Sequence, residues 1–325
     1  MASIVPRAAK RLRVSPLASS WTCTNCRRSF TPSITSRQQQ QPPATSQHLR
    51  QDGKTTHFGF ETVAEELKQS KVAGVFSSVA SSYDTMNDLM SLGIHRLWKD
   101  HFVRFLNPGN SSHPQTILDI AGGTGDIAFR HLDHATNINH DTQTSVIVSD
   151  INPDMLWEGK KRFMASPYYR DGRVSFMEAN AEVLDKVESS SIDLYTVAFG
   201  IRNFTHKDKA LKEAFRVLKP GGVFACLEFT PQLSNPLFNA IYKRWSFSAI
   251  PLIGQVVAAD RDSYQYLVES IERFPSQAEF AGMIRDAGFL IPGEVADAEG
   301  GLPKSGWEDL TMGVAAIHKG VKPVR

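Results

Sequence analysis

The stretch TILDIAGGTGDIAFRHL, residues 116–132, changes its hydrophobic period halfway along. Thr116–Ile120 reads as a short apolar strand, Ala121–Gly125 is a glycine-rich turn, and a helix follows. Gly122, Gly123 and Gly125 allow a tight turn and a close approach of backbone to a ligand. The start of the helix presents free N–H groups at the same place. A strand, a glycine turn and a helix predict a nucleotide-type α/β site, but the turn alone does not choose the ligand. Gly123, Gly125 and Ala128 satisfy G-x-G-x-x-A, the dinucleotide fingerprint. Asp119, inside the strand just before the turn, instead puts a carboxylate beside the loop, as suits a ligand carrying an ammonium or sulfonium.

Downstream the pattern repeats. SVIVSDINPDMLWEGKKRF (145–163) gives a strand with Asp150 at its tip, then a helix opened by Asn152 with Pro153 in the first position. An acid there can accept both hydroxyls of a ribose, and it can also cap the helix. VSFMEANAEVL (174–184), IDLYTVAFG (192–200) and GGVFACLEF (221–229) are three further strands, with the amphipathic KDKALKEAFRVLK (207–219) between the last two. TMGVAAIHKG (311–320) reads as a final strand. Alternating strands and helices predict a doubly wound, mostly parallel sheet. Asn180 and Ala181, after the third strand, are placed for the edge of an adenine.

Upstream, TVAEELKQSKVAGVFSSVASSYDTMNDLMS (62–91) has Val63, Leu67, Val72, Val75, Phe76 and Val79 at helical spacing and is expected to form two amphipathic helices. HRLWKDHFVRFL (95–106) predicts another, stopped by Asn107, Pro108 and Gly109. Residues 231–275 break the strand–helix rhythm with a long aromatic tract, read as a helical lid over the site; extra core packing is the rival reading. Its apolar part WSFSAIPLIGQVVAA (245–259) is too short to span a bilayer. ATNINHDTQTS (135–145) is expected to be a surface loop.

Residues 1–50 hold eight of the 36 Lys and Arg residues and none of the 34 Asp and Glu residues. The remainder, with 28 basic and 34 acidic side chains, carries about −6, which argues against a nucleic-acid surface on the folded part. The Arg-, Ser- and Thr-rich leader, running into RQQQQPPATSQ, has the composition of a mitochondrial transit peptide and linker (1–50), leaving 55–325 as the catalytic domain. Cys23 and Cys26 form a lone C-x-x-C, half of a zinc shell at most, and no metal is expected.

YDTMNDLMSLGIHRLW (83–98) and RVLKPGGVFACLEFT (216–230) resemble the two signature stretches of the ubiquinone/menaquinone biosynthesis C-methyltransferase family. VAFGIRNFTHKDKAL and DSYQYLVESIERFP strengthen the likeness, which runs from Val72 to the C-terminus. The resemblance implies a class I S-adenosylmethionine-dependent methyltransferase: a Rossmann-like, mostly parallel seven-stranded sheet with N-terminal helices (60–106) and a lid. It implies S-adenosyl-L-methionine as cofactor and a polyprenyl benzoquinol as substrate. It also implies a mitochondrial setting peripheral to the matrix side of the inner membrane, beside other ubiquinone-biosynthesis proteins, and leaves a homodimer open. The family's cofactor positions fall on Thr124, Asp150, Asn180 and Ala181, which join Asp119, Gly122, Gly123 and Gly125 read from the glycine turn as the expected cofactor site. Bacterial members often carry Ser where this chain has Ala198, and Thr230 replaces a signature Ser.

C-methylation of a quinol ring needs a phenolic oxygen with developed negative charge, and a phenol titrates only near pKa ~10. Arg202, directly after strand IDLYTVAFG, is expected to stabilise the phenolate, with Asn203 and Tyr83 hydrogen-bonding the ring oxygens. The rival reading pairs Arg202 with an acid such as Asp84. His95 reads as a structural helix residue, His206 as exposed, and Tyr242, Tyr264 and Tyr266 as lining the lid or packing the core. Two other functions remain open from sequence: an NAD(P)-dependent dehydrogenase and a non-catalytic scaffold of quinone synthesis.

Overall fold

In the computed structural model the described residues are 54–79, 87–88, 91, 93–233, 235–258, 261–291 and 306–324. The leader, Tyr83 and Asp84 lie outside them. A hairpin of β1 (Thr55–Phe58) and β2 (Glu61–Ala64) precedes α1 (Glu65–Val79) and α2 (Ile94–Leu106). Then come β3 (Thr116–Ile120), α3 (Asp126–Asn137), β4 (Ser145–Asp150), α4 (Pro153–Met164), β5 (Val174–Glu178) and β6 (Ile192–Ala198). The remainder comprises α5 (Lys207–Val217), β7 (Leu218–Phe229), α6 (Pro236–Ala258), α7 (Arg261–Glu272), α8 (Gln277–Asp286), β8 (Trp307–Leu310) and β9 (Ala315–Val321).

The main sheet has seven strands in the order β5-β4-β3-β6-β7-β9-β8. β3 is flanked in parallel by β4 and β6, with Asp119 opposite Val148 on one side and Thr196 on the other. β9 runs antiparallel between β7 and β8. The dinucleotide-binding Rossmann sheet continues in parallel through its sixth strand, so the reversed β9 separates this chain from the dehydrogenase alternative. Strand order turns back at β3 and β6, and ligands in such sheets bind beyond the carboxyl ends of the strands at that crevice.

Side chains alternate along the central strands as a two-residue period requires. On β7, Phe224 and Cys226 join a core with Tyr195, Leu211, Phe280 and Phe289; Ala225, Leu227 and Phe229 join another with Trp98, Phe102, Tyr264 and Leu267. Fully burying one such large side chain contributes about 1.5–3 kcal/mol. Asn152 caps α4 by accepting from the N–H groups of Asp154 and Met155, with Pro153 in the first turn, as the sequence predicts.

Three expectations are corrected. Val63 belongs to β2, where it pairs with Thr56, and the helix begins only at Glu65. Four residues cannot show a period strongly, and Val63 fits either a strand or a helix face. The tract 135–145 is not wholly a surface loop: Ala135, Asp141 and Thr144 are buried. The Asp141 carboxylate accepts from the N–H groups of Asn110, Gln143 and Thr144, which fixes the turn into β4. Within 231–275, α7 is built into the core through Tyr264, Leu267, Val268 and Ile271, whereas α6 exposes Leu237, Ile241, Trp245 and Leu252.

Candidate active site

Two cavities meet at the tips of β3 and β6. The larger, about 230 Å³, is lined on one side by α1 and on the other by Asp150, Asn180, Ala181 and the segment Asn203–His206. The smaller, about 40 Å³, lies over the glycine turn and is lined by Lys99, Asp119, Gly122, Gly123, Thr124 and Asp126. Ala121, Met155 and Phe199 border both. Every cofactor position expected from sequence except Gly125 therefore lines one cavity or the other; Gly125 starts α3 with φ +78°.

The backbone at this junction is unusual. Ala121 and Phe199, ending the two strands, hold φ values of +52° and +56°, which non-glycine residues seldom adopt. A Cβ on Gly200 would sit 2.4 Å from the Ala121 Cβ, so the strand tips touch only because residue 200 lacks one. Gly123 has φ +48°, and a Cβ there would meet the Met155 methyl at 2.8 Å and Asp150 Oδ2 at 3.5 Å.

Asp150 accepts from the N–H of Asn152 at 2.8 Å and of Gly123 at 3.0 Å. Burial nevertheless pushes its carboxyl up to about 6. Asp119 is more extreme. Oδ1 accepts from the Thr196 hydroxyl at 2.8 Å, whereas Oδ2 is buried without a partner, and burial raises this carboxyl to about 7. An unpartnered carboxylate oxygen facing a cavity is satisfied when a cationic donor enters it. This donor set fits S-adenosylmethionine: Asp119 would meet the ammonium, Asp150 the ribose hydroxyls, and Asn180 and Ala181 the adenine. Ala198 borders the smaller cavity, so a hydroxyl contact open to members with serine there is missing.

Arg202 lies behind the larger cavity rather than among the residues that line it. It is 4% exposed and forms an ion pair with Glu228 of β7, Nη1 to Oε1 at 2.8 Å. Nη1 also donates to the Phe199 carbonyl, and Nε to the Ser270 hydroxyl at 3.3 Å. Glu228 was hidden in sequence by the apolar run GGVFACLEF, although a charge inside such a run is itself a signal. Asn203 does line the cavity, and its Oδ1 accepts from the Tyr266 hydroxyl at 2.9 Å. Thus Tyr266 is buried and oriented toward the site, while Tyr264 is core. Phe58 of the hairpin stacks on Tyr266 with ring centroids 4.3 Å apart. His206 is not simply exposed: it lines the cavity and lies 3.3 Å from Glu65, which begins α1. His95 is buried, with Nε2 2.8 Å from Asp88. Tyr83 cannot be placed, lying outside the described residues.

Fold and site together define a doubly wound α/β protein with a cleft at its strand tips, into which the carboxylates of Asp119 and Asp150 are brought together. The sequence profile of the ubiE/COQ5 methyltransferase family matches residues 64–322. The chain is 54% identical, over 96% of its length and 94% of the relative's, to the mitochondrial 2-methoxy-6-polyprenyl-1,4-benzoquinol methylase of Schizosaccharomyces pombe. It is 46% identical to the human protein of that name, over 82% of this chain and 84% of the relative. It is 49% identical to the ubiquinone/menaquinone biosynthesis C-methyltransferase UbiE of Nitrobacter hamburgensis, over 84% and 99%. The chain belongs to the ubiE/COQ5 methyltransferase family.

Proposed function

We propose that this protein transfers a methyl group from S-adenosyl-L-methionine to a ring carbon of 2-methoxy-6-polyprenyl-1,4-benzoquinol in ubiquinone synthesis. The observation that carries the cofactor is the buried, unpartnered Asp119 oxygen beside the glycine turn. The substrate follows from the names of relatives that align along most of both chains. Bound there, the cofactor supplies an electrophilic methyl on sulfur. The ring would exchange C–H for C–CH₃ as the methyl–sulfur bond breaks, leaving S-adenosylhomocysteine and one proton as the other products.

The protein's part is to hold the acceptor and manage its charge. The larger cavity combines the apolar Val72, Ala73 and Phe76 of α1 with the amide of Asn203 and the His206–Glu65 pair. Such a mixture suits an aromatic ring with oxygen substituents. Asn203 hydrogen-bonds a ring oxygen. Arg202, paired with Glu228, acts from behind as a positioning residue that fixes the turn Ile201–Asn203 and with it the Asn203 amide. Tyr83 remains a proposed ring contact.

The mitochondrial names of the relatives and the acid-free leader support import into mitochondria, with the inner membrane's matrix face as the working surface. Among the described residues no helix is long and apolar enough to cross a membrane. The exposed apolar side chains of α6 would meet the lipid surface, the polyprenyl tail or another quinone-synthesis protein.

Isothermal titration with S-adenosylmethionine and with NADH separates the methyltransferase from a dehydrogenase, and only the former is expected to bind. Incubation with the demethylated polyprenyl quinol should then add one ring methyl by mass spectrometry. Binding without transfer would favour the scaffold.

A further inference from the structure

α2 brings one more charged group to the smaller cavity. Lys99 sits one turn after His95 on the same helix face, immediately after the signature stretch that ends at Trp98. It is 4% exposed, and it lines the same cavity as Asp119. Nζ donates to Asp126 Oδ2 at 2.7 Å and lies 6.0 Å from the Phe199 ring centroid. An ammonium has three donors, so this one ion pair leaves capacity for a second acceptor. Asp126 is itself engaged on its other oxygen by Arg130 Nε at 3.1 Å.

Two acids and one base therefore line a cavity of about 40 Å³. Asp119 asks for a cation. Lys99, buried with a single hydrogen-bond partner, has donors to spare for an anion beyond the already shared Asp126. A molecule bearing both charges on one carbon answers both. The first turn of α3, with its unbonded backbone N–H groups and positive dipole end, borders the same space and favours negative charge on the Lys99 side.

We infer that Lys99 binds the α-carboxylate of the cofactor's amino-acid end, while Asp119 binds its α-ammonium, so that the smaller cavity reads the ligand as a free amino acid. The inference rests on the S-adenosylmethionine reading and adds to it a residue and a specificity. Lys99 makes the site discriminate between the cofactor and its decarboxylated form, which keeps adenosine, sulfur and amine but lacks the carboxylate. Asp126 serves as the hinge of the arrangement, holding the Lys99 ammonium in place at 2.7 Å.

The test compares two product analogues by isothermal titration: S-adenosylhomocysteine and its decarboxylated counterpart. A charge-assisted hydrogen bond in a dry site corresponds to about tenfold or more, so the natural protein should prefer the carboxylate-bearing form by at least that factor. In Lys99→Met and Lys99→Gln, affinity for the carboxylate form should drop until the two analogues bind within about threefold, with the decarboxylated form little changed. In Asp119→Asn both analogues should weaken together, since both carry the amine. Equal loss of both ligands in the Lys99 variants would show a merely structural lysine and overturn the inference. So would a preference below about threefold in the natural protein, a result that stands even if neither variant folds. Should the natural protein bind neither analogue, the cofactor reading itself fails, which is a different result.

Discussion

Asp119→Asn tests the site at the carboxylate on which the most depends. In the ligand-free protein burial holds the Asp119 carboxyl near 7, while in the unfolded chain it titrates near 3.8. Between these values the folded state binds a proton that the unfolded state does not. Stability therefore falls as pH rises through that window and levels off above about 7. The slope is ~1.36 kcal/mol per pH unit, so the two units from pH 5 to pH 7 amount to about 2.7 kcal/mol. Asparagine cannot ionise and lacks this loss. Urea unfolding of both proteins at pH 5 and pH 8 should thus show the natural protein losing about 2.7 kcal/mol relative to the variant, whatever the variant's offset from its own buried amide. A saturating cationic ligand should flatten the natural protein's profile, because the ammonium holds the carboxylate ionised at both pH values. Parallel pH profiles of the two ligand-free proteins would refute the reasoning, for they would mean that Asp119 is ionised without a partner or is never buried.

Arg202→Ala strands Glu228 at 1% exposure without its partner and should cost ~3–5 kcal/mol in chemical unfolding. Its affinity for S-adenosylhomocysteine by titration should stay within about threefold of the natural value, while methyl transfer collapses. Tyr266→Phe removes the donor that fixes the Asn203 amide, and should lower kcat with little change in cofactor affinity, at a stability cost of about 1 kcal/mol. Gly123→Ala forces alanine into φ +48° beside Asp150, which should cost roughly 1–2 kcal/mol and weaken cofactor binding measured by thermal shift.

The alternation of strands and helices, the glycine turn and the acids at strand tips are local patterns, and each was readable from a few neighbouring residues. Asp119, Asp150 and the 122–125 turn converge because the sheet order brings adjacent strand ends together, which the strand–helix rhythm already implies. What could not be read was long-range and carried by single residues. The Arg202–Glu228 pair joins two strand ends 26 positions apart, whereas the rival acid, Asp84, belongs to the signature stretch 83–98 and lies outside the described residues. Lys99 stands out in no local pattern, and only the packing of α2 against α3 brings it to the lining of the cavity. The end of the second hairpin strand, around Val63, reads as part of a helix because the strand is four residues long, too short for a period to declare itself. The reversal of β9 left no mark in the sequence, since an apolar heptapeptide reads the same in either direction of pairing.

That reversal also sets an order of assembly. β7, the strand that carries Glu228, has β6 on one side and β9 on the other, with Phe229 beside Ala315 and Val223 beside Val321. The element that fills this central slot lies some ninety positions later in the chain than the strand it completes. A nascent polypeptide would hold β7 with an open edge, inviting mispairing until residues 315–321 arrive. Methyl-transfer competence is thereby withheld until nearly the whole polypeptide is present, and a shortened chain lacking that heptapeptide should be recovered as aggregate rather than as a weak enzyme.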